Sequence, residues 1–273
     1  MIDFLLNPVM AAAGCFGYGV EAEGQVDLSR LGAIVTRGTT LQPRSGAPAP
    51  RMVEAPSGLL HAIGHQNPGI AQVLERFAPR WATWTVPVIL NLAASSAEDF
   101  ASMAGRADVP GVAALEIDLA SPDLARRGRP ISLDPAAAAR VTAAVRQATD
   151  LPVIVKLSPA AGDVRALTRA VVEAGANALT CGGGMPASGA TLGSSTGTLS
   201  GPAIRPIAIR MVEQAHDAVS VPIIGCGGVA TVADVLAMLA AGAAAVQIGT
   251  ALLADPTLAG RLADELSLLR PPV

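Results

Sequence analysis

Short apolar runs recur along this chain, each closed by a polar or glycine-rich turn and followed by a stretch with helical spacing. They fall at residues 8–12, 32–36, 86–91, 112–118, 152–156, 177–181, 222–225 and 244–248. The runs are apolar throughout instead of alternating, which is the pattern of parallel strands covered on both faces. The stretches between them carry helix signals. Asp134-Pro135 sets a cap and a first-turn proline before a run of Ala, Val and Arg. Asp163 caps a segment closed by Gly175. Thr231, with Asp234 three residues on, resembles a capping box for a helix stopped by Gly242. No linker, charge block or low-complexity tract divides the chain. Eight strands alternating with helices predict an α/β fold, a (β/α)8 TIM barrel forming a single domain over residues 1–273. The second choice is an open doubly wound sheet. It calls for a G-x-G-x-x-G turn after an early strand, and that turn is absent.

Composition narrows the function classes. Hydrophobic residues make up 51% of the 273 and charged residues 15%, ample for a core and unlike a disordered chain. A formal net charge of -3 argues against a nucleic-acid binder, and 3% aromatics removes the stacking platforms for single strands. Cys15, Cys181 and Cys226 stand far apart with no C-x-x-C, so no metal site is expected and a reducing cytoplasm fits best. The start ends in Ala-Ala-Ala-Gly-Cys15 like a lipoprotein cleavage site, but it carries Asp3, lacks basic residues and is broken by Asn7-Pro8. Residues 235–254 are long and apolar enough to span a bilayer, yet Gly242 divides them into a helix and a strand.

Barrel chemistry sits at the C-terminal ends of the strands. Gly225, Gly227, Gly228 and Gly249 cluster after the seventh and eighth strands, with Ser200-Gly201 able to add donors. Two such loops together favour a phosphate site over plain tight turns. Lys156 ends an apolar strand and needs a counter-charge. It either pairs structurally with Glu116 or Asp118, or serves as a cation beside a bound anion. His61 and His65 lie after the second strand, where a lone histidine is ordinarily solvated. Arg126-Arg127 reads as a solvated turn, or as a binder of an anionic substrate if the loop after the fourth strand folds over the mouth.

Seven runs, in order, resemble the dihydroorotate dehydrogenase family, especially its class 1 catalytic subunits, over nearly the whole chain. They are Asn7-Pro-Val-Met-Ala-Ala-Ala-Gly-Cys-Phe-Gly17, Val35-Thr-Arg-Gly-Thr39, Gly58-Leu-Leu-His-Ala-Ile-Gly-His-Gln-Asn-Pro-Gly69, Val153-Ile-Val-Lys-Leu-Ser-Pro159, Leu199-Ser-Gly-Pro-Ala-Ile204, Ile223-Ile-Gly-Cys-Gly-Gly228 and Ile248-Gly-Thr250. The resemblance implies a (β/α)8 barrel that binds FMN. It lays the Ala13-Gly14 backbone along the isoalloxazine ring and sets Asn91 and Lys156 at its polar edge. It assigns the phosphate to Gly201, Gly227, Gly228, Gly249 and Thr250. Arg37 stands where the family usually has lysine, which keeps the charge but not the shape. Hydride would pass to or from flavin N5, with Lys156 stabilising the reduced flavin.

The substrate side departs from the family pattern. The strand-four signature Asn-x-Ser-Cys-Pro-Asn (Ser-Ser in class 2) reads Asp118-Leu-Ala-Ser-Pro-Asp123 here. Ser121 takes the base position, which is cysteine in class 1 and serine in class 2. His61, Asp118, Asp123 and Gly183 replace the pyrimidine-binding asparagines. A carboxamide donates and accepts, whereas a carboxylate only accepts. The reading that follows is an FMN-dependent oxidoreductase of a C–C bond beside a carbonyl, in a small cyclic or amide substrate other than dihydroorotate. One alternative is a genuine dihydroorotate dehydrogenase; the other is a non-catalytic flavin- or partner-binding subunit. A serine base needs an activating partner, with Asp118, Asp123 and His61 as candidates, or one of them is the base itself. Residues 182–198 are short for the family, consistent with an open pocket or a mobile lid. The family also implies homodimers and, in class 1B, a separate electron-transfer subunit with FAD and an iron–sulfur cluster. A soluble acceptor or oxygen is equally open.

Overall fold

The computed structural model describes residues 2–121 and 131–269. Eight parallel strands close a barrel: β1 (Val9–Ala11), β2 (Ile34–Val35), β5 (Val88–Leu92), β6 (Ala114–Asp118), β7 (Val153–Leu157), β8 (Ala178–Gly182), β11 (Ile223–Cys226) and β12 (Ala245–Ile248). Their order around the barrel is β1-β12-β11-β8-β7-β6-β5-β2. Each lies within or one residue beyond its predicted apolar run. Around them pack α1 (Ile70–Trp81), α2 (Ala97–Ala104), α3 (Pro135–Ala148), α4 (Val164–Glu173), α5 (Arg205–His216), α6 (Val232–Ala240), α7 (Ala251–Ala254) and α8 (Leu258–Leu269).

The helix signals act as predicted. Asp134 accepts the Ala136 and Ala137 N–H groups, Asp163 accepts that of Ala166, and Thr231 and Asp234 form the full capping box. Residues 235–254 divide among α6, β12 and α7, and no described helix is long and apolar enough to cross a membrane.

Side-chain alternation along the strands builds two layers inside the barrel. The floor is apolar: Met10, Val35, Ile89, Ile154 and Ile224 pack there with Ala33, Ala114, Ala178 and Ala245. Two residues further along five of the strands the inward positions turn polar: Asn91, Glu116, Lys156, Thr180 and Gln247, all buried. The outward residues between them, such as Leu90, Leu115, Val155 and Leu179, form the larger core under the helices.

The long segments after β2 and β8 were expected as loops. They instead form one antiparallel sheet across the barrel mouth, from β3 (Met52–Ala55), β4 (Gly58–His61), β9 (Met185–Ala187) and β10 (Gly197–Ser200), in the order β3-β4-β10-β9. Neither segment can satisfy its backbone alone, but β4 and β10 pair over three residues and supply each other's hydrogen bonds. The short segment of residues 182–198 is therefore tied into the sheet at both ends, through β9 and the start of β10, with residues 188–196 between them outside any strand.

Candidate active site

The cavity lies between the C-terminal ends of the barrel strands and the antiparallel sheet. Its deepest wall is the polar layer. Glu116, completely buried, accepts from Asn91 Nδ2 at 2.8 Å, Thr180 Oγ1 at 2.7 Å and Gln247 Nε2 at 2.7 Å. Lys156 Nζ stands 3.5 Å from its Oε1. This settles the counter-charge: Lys156 pairs with Glu116, while Asp118 on the neighbouring strand uses Oδ1 to accept the Ala120 N–H. Burial alone would push the Lys156 amine down. Glu116 overrides it, helped by Cys226, Asp118 and Cys15, and holds the ammonium above the usual lysine range. Lys156 faces the cavity charged.

Two buried atoms have no partner among the described residues, Asn91 Oδ1 and Gln247 Oε1. An orphaned buried acceptor is uncommon and asks for a ligand or a water, and Asn91 lines the cavity. Ala13, Gly14 and Arg37 line it as well. Gly14 has φ +84°, and a Cβ there would meet nothing within 4 Å, so the backbone borders open space. Cys15 lies next to it. Its thiol is raised to about 11 by burial and by Cys226, with Lys156 pulling the other way, so it stays protonated at neutral pH.

The glycine loops after β11 and β12 divide into two kinds. Gly249 and Thr250 line the cavity, and the Thr250 hydroxyl donates to Ser200 Oγ at 2.9 Å. Gly201, Gly227 and Gly228 are not on the wall but adjoin Ser200 and Cys226, which are. A Cβ at Gly227 would reach Ile204 and Ala208, and one at Gly228 would reach the Gly201 carbonyl, so close packing accounts for those glycines. Among the described residues, no acceptor takes the backbone N–H of Gly228, Gly249 or Thr250, a donor set suited to an anion.

The substrate side brings together His61 on β4, Asp118 at the end of β6, Ser121 just beyond it, and Gly183 after β8. Gly183 has φ +114°, and its N–H is held by the Cys226 carbonyl at 2.8 Å. Asp123 and Arg126-Arg127 lie outside the described residues. The partner foreseen for Ser121 was Asp118, Asp123 or His61. The structure supplies another: His65 Nε2 lies 2.7 Å from Ser121 Oγ. The sequence places His65 in the loop after the second strand but not beside Ser121, because 56 residues separate the pair. It stands two residues before the Asn67-Pro68-Gly69 turn that opens α1.

A family model described as dihydroorotate dehydrogenase matches residues 2–269. Three relatives are each named dihydroorotate dehydrogenase B (NAD(+)), catalytic subunit. The chain is 45% identical to that of Pelobacter propionicus over 95% of this chain and 88% of the relative. It is 43% identical to that of Desulforudis audaxviator over 96% and 88%, and 45% identical to that of Geobacter sulfurreducens, again over 96% and 88%.

Proposed function

This chain belongs to the dihydroorotate dehydrogenase family, and we propose that it oxidises dihydroorotate to orotate as the flavin-bearing subunit of a two-subunit enzyme. It is an FMN-dependent oxidoreductase acting on CH–CH bonds. The observation that carries the substrate reading is the likeness, along nearly the whole chain, to catalytic subunits of that name. This departs from the expectation, drawn from the substrate side chains alone, of a different substrate.

The residues present fit FMN. The orphaned Asn91 Oδ1 lacks a donor, which the N–H edge of an isoalloxazine provides. Gly14 borders open space where a flat ring can approach the backbone. The N–H groups of Gly228, Gly249 and Thr250, which no acceptor takes among the described residues, suit a phosphate. Bound there, FMN supplies the two-electron acceptor. The chain's own residues do the rest. Lys156, fixed by Glu116, presents a cation where negative charge develops on reduction. Ala13, Gly14, Arg37 and Asn91 orient the ring. Ser121, on the substrate side, takes the proton from the carbon beside the carbonyl. The antiparallel sheet covers the mouth and limits water.

For re-oxidation we infer a separate electron-transfer subunit carrying FAD and an iron–sulfur cluster, since this chain resembles catalytic subunits. A homodimer and a reducing cytoplasmic setting belong to the same proposal.

Asp118 favours a second reading, a donor-rich cyclic amide that is not an anion. A carboxylate on the cavity wall repels the substrate carboxylate and cannot donate as an amide does. One experiment separates the two. The visible spectrum of the purified protein is recorded, then dihydroorotate is added without oxygen. Bleaching of the flavin band supports dihydroorotate. A yellow protein that bleaches only with dithionite supports the second reading. A colourless protein that takes up no added FMN overturns both.

A further inference from the structure

We propose that His65 and Ser121 form a proton relay in which His65 is the acceptor that makes Ser121 a competent base; this rests on the oxidation assigned above. An isolated alcohol is a poor base because it must lose its own proton while gaining another. At 2.7 Å the His65 ring can accept that proton directly. The carbon beside the carbonyl loses its proton to Ser121 Oγ as the hydroxyl proton moves to His65 Nε2. The matching hydride leaves to FMN, the family's oxidant. His65 is partly exposed, so the proton it gains can pass on to water.

The surroundings of His65 hold it for this role. Its backbone has φ +51°, a left-handed conformation that non-glycine residues rarely adopt without compensation. The compensation is Asn67. Its side-chain nitrogen donates to the His65 carbonyl at 2.7 Å and to Thr40 Oγ1 at 2.8 Å. Its side-chain oxygen accepts the Thr40 and Gly69 N–H groups. On the other side the ring fills the space left by a missing side chain: a Cβ on Gly38 would come within 2.6 Å of His65 Nδ1. A ring clasped at its carbonyl and seated against a glycine has one direction to point, toward the end of β6.

The test is anaerobic flavin reduction by dihydroorotate in wild type, His65→Gln, Ser121→Ala, Ser121→Cys and the double variant Ser121→Cys/His65→Gln. Retained bound FMN verifies folding. On the serine background His65→Gln slows reduction roughly 10²–10³-fold, the scale of general-base catalysis. On the cysteine background the same change costs less than about tenfold, because a thiol gives up its proton without help. Equal losses on both backgrounds would make His65 a structural support and overturn the relay. A second readout needs no substrate. The chain has three histidines, so ¹⁵N-imidazole spectra resolve them, and the His65 signal is the one lost in His65→Gln. Ser121→Ala shifts that signal if the serine donates to Nε2; an unmoved signal overturns the proposal. Wild-type flavin left oxidised by dihydroorotate overturns the substrate assignment, and the imidazole spectra then decide the relay alone.

Discussion

An ammonium sealed inside a barrel needs a counter-charge within a few ångströms, and Glu116 supplies it at 3.5 Å from Lys156. Removing one partner of such a pair strands the other. Glu116→Gln is therefore expected to cost roughly 3–5 kcal/mol of stability, read as a lower urea midpoint. Lys156→Met is milder, because three neutral donors still serve the carboxylate. Its cost also depends on pH. The folded state raises the Lys156 pKa, so its contribution is complete below the ordinary 10.5 and fades as pH climbs above it. The stability gap between wild type and Lys156→Met should be flat from pH 7 to about 9 and shrink above roughly 10.5. A gap that widened with pH would reverse the sign assigned to the pair. Lys156 was legible in the sequence because a cation ending an apolar strand has few roles. The pairing of His65 with Ser121 was not, since the two lie on different strand ends and only barrel closure brings them together.

At the scale of elements, the local signals that could be read were those complete within a few residues. Caps at Asp134, Asp163 and Thr231 each pair a side chain with an N–H two or three positions on, and all three form. The sheet over the mouth was not legible. Its strands have three or four residues, and the β4–β10 pairing that joins its two hairpins links segments more than a hundred positions apart. Asp234 shows how one residue serves both scales. Its carboxylate accepts the Ala230 and Thr231 N–H groups, and Arg205 at the start of α5 reaches it at 2.7 Å. Thr231→Ala removes one cap bond and is expected to cost about 1 kcal/mol. Asp234→Ala removes the other half of the box and frees the guanidinium, so thermal unfolding should fall further, by about 1–2 kcal/mol in all. Equal losses would mean that neither the Arg205 contact nor the second backbone bond of Asp234 adds to stability.

The barrel as a whole is a scaffold with a floor of apolar side chains and a roof of polar ones, and the roof makes sense only with an occupant. Leaving Asn91 Oδ1 buried without a donor costs on the order of 1–3 kcal/mol, a strain that a ligand donor relieves. Anything that binds the folded state alone stabilises the fold by mass action, by about 2.7 kcal/mol at a hundredfold excess over Kd. For a chain of this size that is a rise in Tm of roughly 5–10 °C. Protein stripped of flavin should show this rise on adding FMN. Gly14 tests whether the rise comes from a ring lying along the Ala13-Gly14 backbone. Its φ of +84° makes alanine costly by about 1–2 kcal/mol whether or not flavin is present. The added methyl meets no protein atom within 4 Å and projects into the space where the ring would lie. Gly14→Ala should therefore melt a few degrees lower without FMN and also lose most of the FMN-induced rise. If Gly14 served only to turn the chain, the variant would start lower yet keep the full rise, and the flavin would have to sit elsewhere in the mouth.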